Sequence, residues 1–379
     1  MRLLVVGFMM LGIAAFVDTM RGPLLPLLRA ELLFSHTAGG LFFIAASAGS
    51  IVTTLALNPL FDRLGERRVA LLALALGGLA ALFGFAVSSY PSVVVLGLLL
   101  GTAAASLGAT SNVFVIRGSS PAALGRNLCG LHAMYGAGSA VAPVVLAGVL
   151  ERGLDWPWAL AGLPLLAIAG TVALMPADTG EPPPAEAHAP GRRRLGAVEA
   201  LILLTIATYV CGEVLCSLWM TSYLVDTAGA TPESAAPILS GFFAAMLLVR
   251  LLAFFGLRER LEWPGLWLGL LAGLLGTLLG LLGWTWAFAL AGAMGLYFPV
   301  FFARVSRLFP QRWRVLTVWM FAAIQGGLAL MNLAMGWIAD LIGIGSAYWV
   351  PFAALVVCAL CTAGYAAAER RMLSDEAAR

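Results

Sequence analysis

Four ionisable side chains lie where so apolar a chain is least able to hold them. Asp18 and Arg21 fall inside the first hydrophobic stretch, Leu3 to Leu28, while Glu213 and Arg250 occupy the middle of two later ones. A charged side chain at the centre of a bilayer costs ~2.5–3.5 kcal/mol on insertion scales, so such groups face a bundle interior or a water-filled cavity. Asp18 and Arg21 are three residues apart and share one helix face. Desolvation works against a carboxylate and a nearby guanidinium works for it, a balance suited to taking up and releasing a proton. Asp18 and Glu213 are therefore expected to exchange protons with a cavity. Arg21 and Arg250 are expected to tune them or to hold an anionic part of a solute. Two structural readings compete. Asp18 and Arg21 would serve only as a packing ion pair, and Glu213 would be a protonated acid hydrogen-bonded to its neighbour.

Other polar groups in apolar stretches extend the candidate binding set. His132 and Tyr135 sit in mid-segment, and Asn112, Gln325 and Asn332 offer paired donors and acceptors suited to a polar solute, with interhelical glue an equal alternative. Trp219 and Tyr297 are of a type that stacks on ligands, although aromatic residues in such segments more often pack. The sequence shows no nucleophile with a base, no metal-ligand spacing and no phosphate loop. An enzyme is not expected, and neither is a cofactor.

The elements that must position these groups are membrane helices. Of 379 residues 61% are hydrophobic and 11% charged, and the mean hydropathy is +0.96, far from the composition of soluble domains. Apolar runs of bilayer-crossing length give twelve spans, at about 3–27, 38–60, 69–89, 91–116, 126–150, 156–175, 196–225, 234–257, 264–282, 284–306, 313–340 and 346–367. Asp18, Arg21 and two prolines stand where a signal peptide would need small residues for cleavage, so the first segment is read as a retained helix. All 22 basic residues are arginine; with the N-terminus inside, 18 fall on the inner side and two, Arg29 and Arg152, outside. Basic residues favour cytoplasmic loops, which places both termini in the cytoplasm. The net charge of +3 is this topology signal and implies no nucleic acid. The five cysteines all lie in predicted spans and read as small apolar fillers.

The chain also repeats itself. A shift of 195 residues lays Asp18 on Glu213, and a slightly different one lays Phe114–Arg117 on Phe301–Arg304 and Tyr135-Gly136 on Gln325-Gly326. Two homologous halves about an axis along the membrane normal account for this order. Residues 1–175 and 196–379 are expected to form six-helix bundles. Residues 176–195, rich in Pro, Ala and charge and including His188, form a cytoplasmic linker.

The turn Asn58 to Arg68, NPLFDRLGERR, resembles the loop signature of the major facilitator superfamily, with Asp62, Arg63, Gly65, Arg67 and Arg68 in matching positions and Asn58 in place of the usual glycine. The resemblance implies twelve helices working by alternating access, with these five residues latching the inward-closed state. Asn112, Asn127, His132, Tyr135, Gly136 and Gly138, together with Tyr209, Glu213, Trp219, Tyr223 and Leu224, are similar to the fucose permease branch of sugar:proton symporters. Two features depart from that branch: its acidic residue in the fourth helix falls at Gly108, and the aspartate of the first helix stands about one turn early relative to Leu25-Pro26.

The expected protein is thus a monomeric secondary transporter in the bilayer of a bacterial cytoplasmic (inner) membrane, moving a small sugar-like or anionic solute with protons; sodium in the proton's place stays open. The rivals are proton-coupled efflux of amphiphilic drug-like compounds, and a receptor or lipid scramblase on the same fold that would tolerate neutral replacement of Asp18 and Glu213.

Overall fold

The computed structural model describes residues 2–120, 123–174, 196–256, 259–309 and 312–377. The predicted linker, 176–195, lies outside the described residues. Twelve helices among the described residues are long and apolar enough to cross a membrane, and each overlaps one of the twelve runs read from the sequence. We number them α1 (Arg2–Leu32), α2 (His36–Leu64), α3 (Glu66–Gly84), α4 (Tyr90–Gly118), α5 (Leu124–Leu150), α6 (Gly162–Leu174), α7 (Ala197–Ala228), α8 (Pro232–Gly256), α9 (Glu262–Leu281), α10 (Ala287–Leu308), α11 (Trp313–Ile342) and α12 (Trp349–Ala377). They form two six-helix bundles, α1–α6 and α7–α12.

The helices bond most of their backbone polar groups internally, as a lipid environment requires. What differentiates the helices is where small residues let them touch. At Gly22 of α1 an added Cβ would meet the carbonyl oxygen of Leu218 on α7 at 2.8 Å, so these helices cross backbone to backbone just beyond Asp18. Gly40 of α2 lies against the Asn332 carbonyl of α11, and Gly336 of α11 against the carbonyl of His36.

The α2–α11 seam has two ends. Near His36, Phe42, Phe43, Ala46, Met335 and Ala339 are buried, with Leu341 and Ile342 exposed; towards the other end Leu316 and Met320 are buried, with Val52, Leu55 and Val318 exposed. We call the first the His36 end. The second, where α1 begins and where Arg63, Arg67 and Arg68 turn into α3, is the arginine-rich end.

A glutamate–arginine pair braces each half at the arginine-rich end. Glu66, opening α3, pairs with Arg117 of α4 at 3.0 Å; Glu262, opening α9, pairs with Arg304 of α10 at 3.0 Å. Arg117 and Arg304 are the residues that the internal repeat superposes.

Candidate functional site

Asp18 lies 16 residues beyond Arg2 in α1, and Glu213 lies 16 beyond Ala197 in α7. At 1.5 Å per residue both acids stand about 24 Å along their helices, hence at one depth. They line a single cavity of about 50 Å³ between the halves, with Thr19 and Arg21 of α1, Tyr135 of α5, Val214, Ser217 and Leu218 of α7, and Phe243 of α8. At roughly 10–15 Å³ per water site, such a space takes a few waters.

In the first half the acid is held from both sides. Arg21 Nη2 pairs with Asp18 Oδ1, and Arg21 Nε donates to the Asp18 carbonyl at 2.9 Å, which locks the guanidinium against its own helix. Tyr135 donates its hydroxyl to Asp18 Oδ2 at 2.8 Å from α5. Pro23 and Pro26 lie inside α1 one to two turns further on. Lacking N–H groups, they release carbonyls of the preceding turn from helical bonding beside the cavity.

In the second half the parts are redistributed. Tyr209, one turn before Glu213 on α7, places its hydroxyl against Glu213 Oε2 and within 2.8 Å of the Met294 carbonyl. Arg250 of α8 brings Nη2 to 4.0 Å from Glu213 Oε1, a looser pairing, while its Nε donates to the Gly295 carbonyl at 3.0 Å. Those two carbonyls are available because α10 is not uniform: Ala287–Ala291 and Tyr297–Leu308 are α-helical, and Gly292–Leu296 between them is 3₁₀. A mid-helix 3₁₀ stretch changes which carbonyls are taken by the helix. Gly292 permits it, since a Cβ there would run into the Phe242 backbone of α8.

Of the residues singled out from the sequence, Asp18, Arg21, Tyr135, Glu213 and Arg250 are thus brought together. His132 of α5 stands within electrostatic reach of Arg250 on the other half. Three expected binding residues are packed elsewhere. Trp219 is fully buried, donates Nε1 to Asn332 Oδ1 at 2.9 Å, and meets Phe43 of α2 edge-on at 5.4 Å, which makes Trp219 and Asn332 part of the closed seam between the halves. Tyr297 is fully buried too, stacked on Tyr209 at 4.6 Å with its hydroxyl 2.6 Å from Thr362 Oγ1. Asn112 donates to the Gly108 carbonyl of its own helix at 2.8 Å, and Gln325 is partly exposed on α11; neither lines this cavity.

The sequence reading missed Tyr209 as a site residue, together with Ser217 and Phe243. Tyr209 had a signal: at i and i+4 it shares a helix face with Glu213.

Of the expected latch residues, Asp62, Arg63 and Arg68 are exposed, Asp62 makes no ion pair or hydrogen bond among the described residues, and Arg67 keeps a partner; Gly65, at φ +77°, turns the chain between α2 and α3. The ion pairs described at this end, Glu66–Arg117, Glu262–Arg304, Glu369–Arg304 and Glu199–Arg312, each stay within one half. At the His36 end the pairs cross between halves: Arg29 to Asp226 at 2.8 Å, and His36 to Asp226 and Asp340 at 3.0 and 3.2 Å. The halves are shut at the His36 end.

Comparison with known proteins agrees with this architecture. Among solved structures the chain is similar to a D-xylose–proton symporter, with a TM-score of 0.75 at 15% identity over 95% of this chain and 96% of that one. It is also similar to the inward-open xylose transporter XylE from E. coli, with a TM-score of 0.73 at 13% identity and 94% of each chain covered. A third is the nucleoside transporter NupG in a D323A mutant form, with a TM-score of 0.71 at 12% identity over 97% of this chain and 98% of that one. At such identities the likeness is one of fold. No curated protein sequence matches the chain. The family model described as Major Facilitator Superfamily matches residues 7–314. With twelve membrane-crossing helices in two bundles around one central cavity, the chain belongs to the major facilitator superfamily and is a transporter, not an enzyme.

Proposed function

We propose that this transporter moves a small polar solute, sugar-like or anionic, across the cytoplasmic membrane by alternating access, coupled to protons through Glu213 and Asp18. One observation carries the reading: each half places a carboxylate at the same depth on the same cavity, and each carboxylate is held by a tyrosine hydroxyl and faced by an arginine. A buried acid with an adjustable counter-charge responds to both a proton and a solute, which is what coupling requires.

Glu213 is the principal proton carrier. Its arginine is 4.0 Å away and anchored to a carbonyl, so an anionic or hydroxyl-rich solute that draws on Arg250 leaves Glu213 to be neutralised by a proton. Asp18, already paired with Arg21 on its own helix, orders that wall and holds Tyr135. The arginine-rich end faces the cytoplasm by the positive-inside rule, so the end shut here is the outer one, in a protein that works as a monomer. The structural likeness to xylose and nucleoside transporters supports a polar solute over an amphiphilic drug.

The test is solute-driven proton uptake in proteoliposomes loaded with a pH-sensitive dye, with pentoses, hexoses, nucleosides, carboxylates and apolar cations offered in turn. Wild-type protein should acidify the lumen with one polar class, and Glu213→Gln should not. Acidification by no polar solute, or equal acidification by Glu213→Gln, removes the reading. A response to apolar cations alone transfers the site to drug efflux.

A further inference from the structure

His36, the first residue of α2, stands where the halves meet and belongs to neither acid cluster. Its backbone N–H donates to Asp340 Oδ1, and that of Thr37 to Asp340 Oδ2, both at 2.8 Å. A carboxylate from α11 therefore caps the N-terminus of α2 across the interface. The imidazole is enclosed the same way: Nε2 is 3.0 Å from Asp226 Oδ2 at the end of α7, and Nδ1 is 3.2 Å from Asp340 Oδ1 and 3.2 Å from Arg29 Nη2. Arg29 Nη1 donates to the same Asp226 oxygen at 2.8 Å. Glu31, the other charged group close by on α1, is bound to Trp156 Nε1 at 3.0 Å.

We propose that His36 is a proton-binding site between the two halves, whose occupancy holds this end of the transporter shut. The count of charges and donors carries the argument. With a neutral ring the seam holds Arg29 against Asp226 and Asp340, a net charge of −1, and the ring has one N–H for two carboxylates. A neutral ring with its hydrogen on Nε2 serves Asp226 and turns the Nδ1 lone pair towards Arg29 and Asp340. A protonated ring brings the seam to zero charge and adds a ring N–H to each carboxylate, beside Arg29 on Asp226 and the His36 and Thr37 backbone N–H groups on Asp340. Both acids belong to the second half and His36 to the first, so parting the halves removes the ring from both at once. Proton binding and closure consequently favour each other. Arg29, at 3.2 Å from Nδ1, opposes the ring's charge and limits the effect. Acid on this face would then slow reopening, a brake separate from the coupling acids in the cavity.

Double electron–electron resonance distinguishes the outcomes without any solute. Spin labels on cysteines introduced at Leu33 and Ile342, exposed positions flanking the seam on opposite halves, in a background with the native cysteines replaced, report the separation at this end. In detergent between about pH 5.5 and 8.5, spanning the histidine range, the short-distance population should fall as pH rises, and His36→Gln should remove most of that dependence. Asp226→Asn, which keeps the ring and the Asp340 cap, should weaken it as well and serves if the histidine variant folds poorly. A wild-type population that ignores pH overturns the proposal. So does a pH response that His36→Gln retains in full, since Asp18 and Glu213 would then be carrying it.

Discussion

The two acid clusters occupy one depth and use one set of parts in opposite order. At Asp18 the arginine is local, three residues along the same helix, and the tyrosine arrives from α5; at Glu213 the tyrosine is local, four residues back, and the arginine arrives from α8. The first arrangement gives a closed pair that any motion of α1 carries along whole. The second leaves the counter-charge on a different helix, so small displacements of α7 against α8 change the field at the carboxylate. Asp18 nevertheless has the more accessible side chain, 32% exposed against 14% for Glu213. Access and the attachment of the arginine thus run in opposite senses between the two acids.

That contrast can be broken most directly at the acids. Glu213→Gln should reduce solute-driven proton flux to background while leaving solute exchange under equal concentrations measurable; loss of both would make Glu213 a binding residue instead. Asp18→Asn should act on the fold. Removing one partner of a buried pair costs about 3–5 kcal/mol, and the partial exposure here lowers the expectation to about 2 kcal/mol. It should appear as a reduced Tm in detergent that Asp18→Asn combined with Arg21→Met largely restores.

Arg250→Lys tests the looser pair. Lysine keeps the charge but not the fork that reaches both Glu213 and the Gly295 carbonyl. The expected result is a raised KM with proton coupling intact, whereas Arg21→Lys should change KM little and Tm more. The smallest effects should come from the hydroxyls. Tyr209→Phe and Tyr135→Phe each remove one hydrogen bond, about 1 kcal/mol. The former should be the more severe in a thermal melt, because Tyr209 is fully buried. Equal melts for the two would erase the asymmetry between the clusters.

Much of this was legible before any coordinates. Length and apolarity alone locate twelve helices, because a membrane helix advertises itself continuously over some twenty residues. The matched depth of Asp18 and Glu213 followed from the 195-residue shift, and the overlay of Arg117 on Arg304 anticipated the paired Glu66 and Glu262 braces without naming the glutamates. Side-chain direction was not legible. In a segment apolar on all faces, periodicity does not separate lipid, core and cavity, so Trp219, Tyr297 and Asn332 looked as available as Tyr135. The His36 seam escaped for another reason: its four members come from α1, α2, α7 and α11, far apart in sequence. The alternation of twelve spans does bring Arg29, His36, Asp226 and Asp340 to one end, and opposite charges gathered there were the available sign.

The five 3₁₀ residues of α10 have a mechanical meaning. A 3₁₀ segment rises about 2.0 Å per residue and an α-helix 1.5 Å, so rewinding Gly292–Leu296 would shorten this stretch by about 2.5 Å. Tyr209 and Arg250 are both tethered to its carbonyls, and a contraction of that length exceeds what either hydrogen bond tolerates. The length of the segment thus sets the register of the tyrosine and the arginine against Glu213, so an entire acid site is indexed by a helix that contributes no side chain to the cavity wall.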